Sequence, residues 1–471
     1  MRPLLLRRIK HLYTSDSAKT VLANAWILCS EGKIKAFGRE PCPIDPAAVA
    51  TTREMESAVV LPGLINLHHH FFQSVTRAVP ATLGAFGRDW IAALYPLWRH
   101  LTPDDMATAA TVAAGELALT GVTTSVDHAF LTRPPHEAFV AAQIEAVGAV
   151  GLRLHLVHGG ITNLGEGVPE RLRPILGDAI ESFIDSPDAI MARIETLAAR
   201  HHQSGAGSRV ALGVGPLGLA YDSGDLMQRM AAFAAEIGAH LHTHMHPRAS
   251  ERVEAEAHWG VQPLAFLDRA GWLRPGTSLT HGTGLRPDEV RLMAERGVAL
   301  IHCPRTVIRL GYPVPPIGEW SAMGLKVGIG VDGVASNDGG GLLPDLRLAL
   351  LLHRVAQAEA STAKHWLTAD DLLHAATRGA AEVLGRSDIG CIAPGNQADL
   401  AAFDLAGIAY AGSIATPIER LLFAGVDGHA ALTVCGGRII AERGTLTGID
   451  LAAAGEAGDR VAARIAAAAG P

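Results

Sequence analysis

The sequence of 471 residues is short of lysine and cysteine, and each shortage excludes something. Lysine occurs six times, at Lys10, Lys19, Lys33, Lys35, Lys326 and Lys364, and never between Lys35 and Lys326. A Schiff-base lysine, a P-loop lysine or a carboxylated lysine bridging two metal ions therefore has no candidate in that stretch. The five cysteines (Cys29, Cys42, Cys303, Cys391, Cys435) are scattered, odd in number and without a C-x-x-C pair. They read as free thiols of a reducing, cytoplasmic compartment. No apolar run approaches the ~18 residues of a membrane span. The leucines at 4–6 lead at once into Arg7, Arg8 and Lys10, too short a run for a secretory signal core. Positive charge is not in excess: 40 Lys+Arg face 47 Asp+Glu, a net −7. That balance argues against nucleic acid and against a polybasic membrane contact, and leaves a small molecule as the expected partner.

What is present is length, histidine and alternation. The chain is long enough for a barrel of about 250 residues or more with a second unit beside it. Residues 1–57 read as short β runs (Val21–Leu28, Lys33–Phe37) of an accessory unit. From 58 to 394, apolar strand-like runs alternate with amphipathic helices. The eight strand candidates are Ser57–Leu64, Gly121–Asp127, Arg153–His158, Arg209–Gly215, His240–His244, Ser278–His281, Val298–His302 and Lys326–Val331. Thr102-Pro103-Asp104-Asp105 and Arg286-Pro287-Asp288-Glu289 open helices with proline in the first turn and acids near the positive helix end. Eight βα alternations predict an α/β protein, a (β/α)₈ barrel, with a doubly wound open sheet as the competing arrangement. From 395 to 448 the β texture returns (Ala398–Asp404, His429–Cys435, Arg438–Glu442), so both chain ends are expected to share an accessory β-sandwich. Residues 449–471 form an alanine-rich helical tail.

The chemistry concentrates at strand ends. In Leu67-His68-His69-His70, alternate side chains share a face, so His68 and His70 point together. Neutral imidazole suits Zn²⁺, although one His-x-His equally suits a histidine-rich turn. In His240-Leu241-His242-Thr243-His244-Met245-His246, four imidazoles fall on one phase, of which one would serve as ligand and the others as packing or support. His281 and Asp332 end two later strands. Singly each reads as structural; as an ordered series at the C-terminal ends of different barrel strands they predict metal-dependent chemistry.

These residues, with Leu61-Pro62-Gly63-Leu64-Ile65-Asn66, Tyr95-Pro96-Leu97-Trp98, Asp127-His128, His302-Cys303-Pro304, Gly333-Val334-Ala335-Ser336-Asn337-Asp338 and Pro394-Gly395-Asn396-Gln397-Ala398-Asp399, resemble the amidohydrolase superfamily. The resemblance spans nearly the whole chain. It is strongest to the branch containing 8-oxoguanine deaminase, isoxanthopterin deaminase and hydroxyatrazine ethylaminohydrolase. It implies that His68, His70, His244 and Asp332 hold one divalent metal ion, zinc before cobalt, iron or manganese. It also implies that His281 polarises the attacking water or the substrate oxygen, and that Asp332 takes the water's proton and returns it to the leaving nitrogen. The lysine gap fits one metal ion instead of two. A homo-oligomer is expected.

The sequence departs from that branch at one telling place. Its aminohydrolases carry Glu three residues after the metal-binding histidine of the fifth strand, where it protonates a ring nitrogen; here the position is Pro247. Arg305-Thr306-Val307-Ile308-Arg309 also replaces a Ser/Asn-type stretch. A urea or carbamate carbonyl depends less on such a proton than a ring amidine does. The departures therefore favour hydrolysis of an N-substituted urea, carbamate, thiocarbamate or amide, similar to the phenylurea and molinate hydrolases of the superfamily. The alternative is a purine, pterin or s-triazine aminohydrolase. His246, and less directly Glu251, are the candidates for the missing proton shuttle. Trp90, Tyr95, Trp98, His128, His158, Arg305 and Arg309 are the candidate substrate contacts. Gly213-Val214-Gly215-Pro216-Leu217-Gly218 matches a dinucleotide fingerprint, but Pro216 removes a donor and no helix follows directly.

Overall fold

The computed structural model describes residues 3–131, 133–163, 168–219, 224–356, 366–425 and 428–470. Eight parallel strands stand side by side in chain order: Leu64–Asn66, Val122–Ala129, Arg153–His158, Val210–Val214, His240–Met245, Thr277–His281, Ala299–His302 and Lys326–Ile329. The first and eighth are joined by Leu67 N–H to the Ile329 carbonyl (3.1 Å) and Asp332 N–H to the His68 carbonyl (2.9 Å), which closes the barrel. Helices cover the outside. Most of these strands are buried along their whole length, which is why they read as continuous apolar runs without alternation.

Local signals set the helix starts. Thr102 caps helix Pro103–Leu119 in a reciprocal box with Asp105, and Gly121, at φ = 87°, turns the chain out of it. The tail helix Leu451–Ala469 buries Val461 and Ile465, and its Arg464 pairs with Asp105.

The expected first barrel strand, 57–64, is in fact divided. Ala58–Pro62 lies in the accessory sheet, parallel to Leu4–Tyr13 and antiparallel to Leu400–Asp404. Only Leu64–Asn66 enters the barrel. Gly63 is the joint: a Cβ there would overlap the Thr123 side chain, so only glycine permits the crossing. An unbroken apolar run carries no mark of a change of partner, which is why the pattern reads as one strand.

The accessory sheet has nine strands in one hydrogen-bonded network, built from both ends of the chain. Leu4–Tyr13, Thr51–Glu54 and Thr445–Leu446 join the β runs expected from the sequence. Arg7, Arg8 and Lys10 hide the first of these, and its register slips between Leu6 and Ile9 with Arg8 at φ = 49°. Arg153, at the start of the third barrel strand, ties barrel to sheet. Its Nε donates to Asp399 Oδ2 at 2.7 Å and its Nη2 to Asp399 Oδ1 at 3.1 Å and Gln397 Oε1 at 3.0 Å. No helix among the described residues is long and apolar enough to cross a membrane.

Candidate metal centre and active site

His68 and His70 follow the first strand, His128 lies in the second, His244 in the fifth, His281 ends the sixth and Asp332 follows the eighth. Hydrogen bonds behind the rings determine which nitrogens face inward. His70 Nδ1 lies 2.7 Å from the His128 carbonyl oxygen, which can only accept, so Nδ1 carries the proton and Nε2 a lone pair. His244 Nδ1 donates to the Leu217 carbonyl in the same way. The two Nε2 atoms, both left as acceptors, sit 3.2 Å apart. His68 Nδ1 lies 2.7 Å from His242 Nε2, and His242 Nδ1 2.6 Å from Ser278 Oγ. With each Nδ1 donating along that line, His68 Nε2 is a third lone pair, and it is buried without a hydrogen-bond partner. Asp332 Oδ1 stands 3.3 Å from His68 Nε2 and 3.2 Å from His70 Nε2.

Three converging imidazole lone pairs and a carboxylate oxygen repel one another unless a cation lies between them. The set suits Zn²⁺ in chemistry and number. His128 also offers a ring nitrogen within 4.8 Å of those of His68, His70 and His244, and Cys303 offers its thiol to His68 and Asp332 within the same limit. Burial lowers His68 to a pKa of about 4 and takes His244 and His281 well below the ordinary value, so these rings are neutral and available as ligands or acceptors at pH 7. Burial pushes the Asp332 carboxyl up; hydrogen bonds and charge from His68 and His70 would pull it well below the usual carboxylate range where their Nε2 atoms carry protons, and with lone pairs there instead that stabilisation falls to a cation held in the cluster.

His281 Nε2 is 3.9 Å from Asp332 Oδ2, and the His281 ring stacks between His244 and His246, with centroids 5.4 and 4.5 Å away. His281 and Asp332 both occupy the left-handed region, at φ = 76° and 65°. Non-glycine residues are uncommon there, and the strain aims both side chains across the barrel mouth. Asn66 and Asn337 brace the Asp332 turn: Asn66 accepts from Val331 N–H at 2.9 Å, and Asn337 donates to the Val331 carbonyl. Asp127 accepts from Phe71 N–H at 2.6 Å and so positions the segment after His70.

Above this cluster opens a cleft that His70, His244, His281 and Asp332 also line. Its lining combines apolar and aromatic residues (Trp90, Ile91, Phe130, Leu217, Tyr312) with polar ones (Gln73, His246, Arg248, Glu251). Of the seven expected substrate contacts, only Trp90 lines it. Tyr95 and Trp98 are buried in the aromatic core beneath, against Phe183 and Phe72. His128 packs among the clustered histidines, behind the cleft. His158 accepts from Arg193 Nε at 3.1 Å. Arg305 is tied to buried Asp345 at 2.5 Å, and Arg309 to Asp338 at 2.9 Å. Each of these polar candidates has an intramolecular partner far away in sequence.

His246 and Glu251 do line the cleft, and Glu251 Oε2 accepts from His246 N–H at 3.1 Å. Pro247 does not. Sequence reasoning missed Arg248, Phe130, Leu217 and Tyr312, which carry no motif. Leu217 falls inside the glycine pattern that resembled a dinucleotide loop. Those glycines instead allow close strand contact, since a Cβ on Gly215 would collide with the His242 carbonyl.

The donor set makes a direct prediction. Protein from zinc-supplemented growth is expected to hold about one metal ion per chain, and His244→Ala to fall below ~0.2 by elemental analysis. Full metal content in the variant would remove His244 from the ligand set.

Comparison with known proteins agrees with this arrangement. The amidohydrolase family model matches residues 59–440. The 8-oxoguanine deaminase of Pseudomonas aeruginosa is 35% identical over 91% of this chain and 92% of its own. Hydroxydechloroatrazine ethylaminohydrolase of Pseudomonas sp. strain ADP is 31% identical over 99% and 96%. The crystal structure of atrazine chlorohydrolase from Arthrobacter aurescens TC1 complexed with zinc superposes with a TM-score of 0.88 at 30% identity, covering 98% of this chain and all of that one. With the barrel, the histidines and aspartate at its strand ends and these relatives in accord, the chain belongs to the amidohydrolase family, metal-dependent hydrolases acting on carbon–nitrogen bonds other than peptide bonds.

Proposed function

We propose that this enzyme hydrolyses the C–N bond of an N-substituted urea, carbamate, thiocarbamate or amide, with His68, His70, His244 and Asp332 holding one zinc ion. The bound metal would supply Lewis acidity and a more acidic water at neutral pH. The remaining work falls to side chains of the chain itself. Asp332 accepts the proton of the attacking water, its carboxylate lying beside the imidazole cluster at the barrel mouth. His281 donates a hydrogen bond to the substrate oxygen. Asp332 then returns that proton toward the leaving nitrogen, and His246, stacked on His281 with its Nδ1 2.8 Å from Thr283 Oγ1, is the relay along that path. Trp90, Phe130 and Tyr312 receive a planar, apolar N-substituent.

The observation that carries this reading is Pro247. At the position where ring aminohydrolases of this branch place an acid, the backbone continues through a buried proline outside the cleft lining. An acyclic carbonyl is activated at its oxygen and needs one proton, on the leaving amine.

Glu251 favours a second reading, deamination of a nitrogen heterocycle. Its carboxylate lines the cleft one helical turn beyond Pro247, and the relatives named as deaminases lend that reading support. Side-by-side assays separate the two. Cleavage of a phenylurea or thiocarbamate without ammonia release from 8-oxoguanine or isoxanthopterin is expected; the reverse would refute the proposal. Glu251→Gln is expected to lower kcat/KM for the cleaved urea by less than about tenfold. A loss of about 10²–10⁴ would instead mark Glu251 as the working acid.

A further inference from the structure

Among the described residues, Arg248 is the only arginine or lysine lining the cleft. It directly follows Pro247 and precedes helix Ala249–Trp259. Its guanidinium carbon sits 4.6 Å from the centre of the Tyr312 ring, another cleft residue. Its Nε is buried without an acceptor, and among the described residues the side-chain partner of its guanidinium is Tyr312, not a carboxylate. The contrast with Arg305 and Arg309, each bound to its own aspartate, is direct. Glu251 shares the wall, but one of its oxygens is engaged by His246 N–H. A guanidinium beside an aromatic ring and without a carboxylate of its own keeps N–H groups that can match a carboxylate with two parallel hydrogen bonds.

We propose that Arg248 anchors a carboxylate on the substrate, at the end away from the scissile C–N bond, with Tyr312 fixing the guanidinium plane. The inference deepens the proposed function, since it rests on this cleft receiving the substrate. It narrows the class to planar, acid-bearing ureas or amides.

The test is binding to the metal-loaded enzyme by isothermal titration calorimetry, with phenylurea, 3-ureidobenzoate and 4-ureidobenzoate as probes. At least one ureidobenzoate is expected to bind about tenfold or more tighter than phenylurea. Arg248→Met should erase that advantage while leaving phenylurea affinity and metal content within about twofold, and Arg248→Lys should restore part of it. Absence of any advantage for both isomers would overturn the proposal. So would an advantage that survives Arg248→Met, because the carboxylate would then be bound at the metal centre. If Arg248→Met fails to fold, Arg248→Lys and Arg248→Gln carry the same comparison. Hydrolysis is read separately: if none of the ureas is cleaved, the urea reading fails, while the binding difference still decides the role of Arg248.

Discussion

Asp332→Asn is expected to lower kcat/KM by at least about 10³-fold while the chain stays folded. The substitution keeps the shape of the side chain and one carbonyl oxygen, which can still accept from Gly333 N–H, now 2.7 Å from Oδ1. It also suits the backbone, because asparagine tolerates φ = 65° better than any residue except glycine. On the proposed mechanism it removes the negative charge that offsets the cation and the oxygen that takes a proton. Steady-state kinetics on whichever substrate is cleaved, paired with elemental analysis and circular dichroism, distinguish the contributions. Metal retained with activity lost isolates the proton transfer; metal lost as well shows that the charge holds the ion. Activity within tenfold of wild type would remove Asp332 from the chemistry.

The second large effect concerns stability. Arg153→Met is expected to destabilise the fold by about 3–5 kcal/mol, because it leaves a carboxylate buried without its cation. Both side chains are 1% exposed. Asp399 would keep only Gly436 N–H, at 2.6 Å, among its present polar partners. Chemical denaturation should show the loss, and Arg153→Met combined with Asp399→Leu should recover part of it, since the pair would then be removed together. Turnover at temperatures where the variant is folded should change little. Arg153 starts the third strand, at the opposite end from His158 and the cluster. A single variant with unchanged stability would show that the joint contributes no net stability.

The legibility of the sequence follows from the range of the forces involved. The histidine series could be read because strand alternation and the barrel's C-terminal mouth are both local rules: His68, His70, His244, His281 and Asp332 each announce themselves at a strand end. The motif 394–399 was equally visible, but its task was not, because Arg153 lies about 240 residues earlier, a separation that no local pattern spans. Tyr95 and Trp98 show the same limit in another form. Their apolar character predicts that they are covered, and it cannot tell whether protein or ligand covers them; the helix Arg88–Trp98 turns Tyr95 and Trp98 into the core and leaves Trp90 at the cleft. Arg305 and Arg309 were open candidates until Asp345 and Asp338 folded against them. Arg248 and Tyr312 went unread because they lie on connections, where function needs no periodicity.

The sheet that unites both chain ends also orders events in time. Ala58–Pro62 pairs on one side with Leu4–Tyr13, available almost at once, and on the other with Leu400–Asp404. That second partner leaves the ribosome about 340 residues later, roughly 20–70 s at ordinary elongation rates. For that interval Ala58–Pro62, parallel to Leu4–Tyr13, presents an unpaired, wholly apolar edge, which places the aggregation risk of that edge before the barrel is complete. Sheltering that edge during synthesis is therefore a demand separate from the stability of the finished fold.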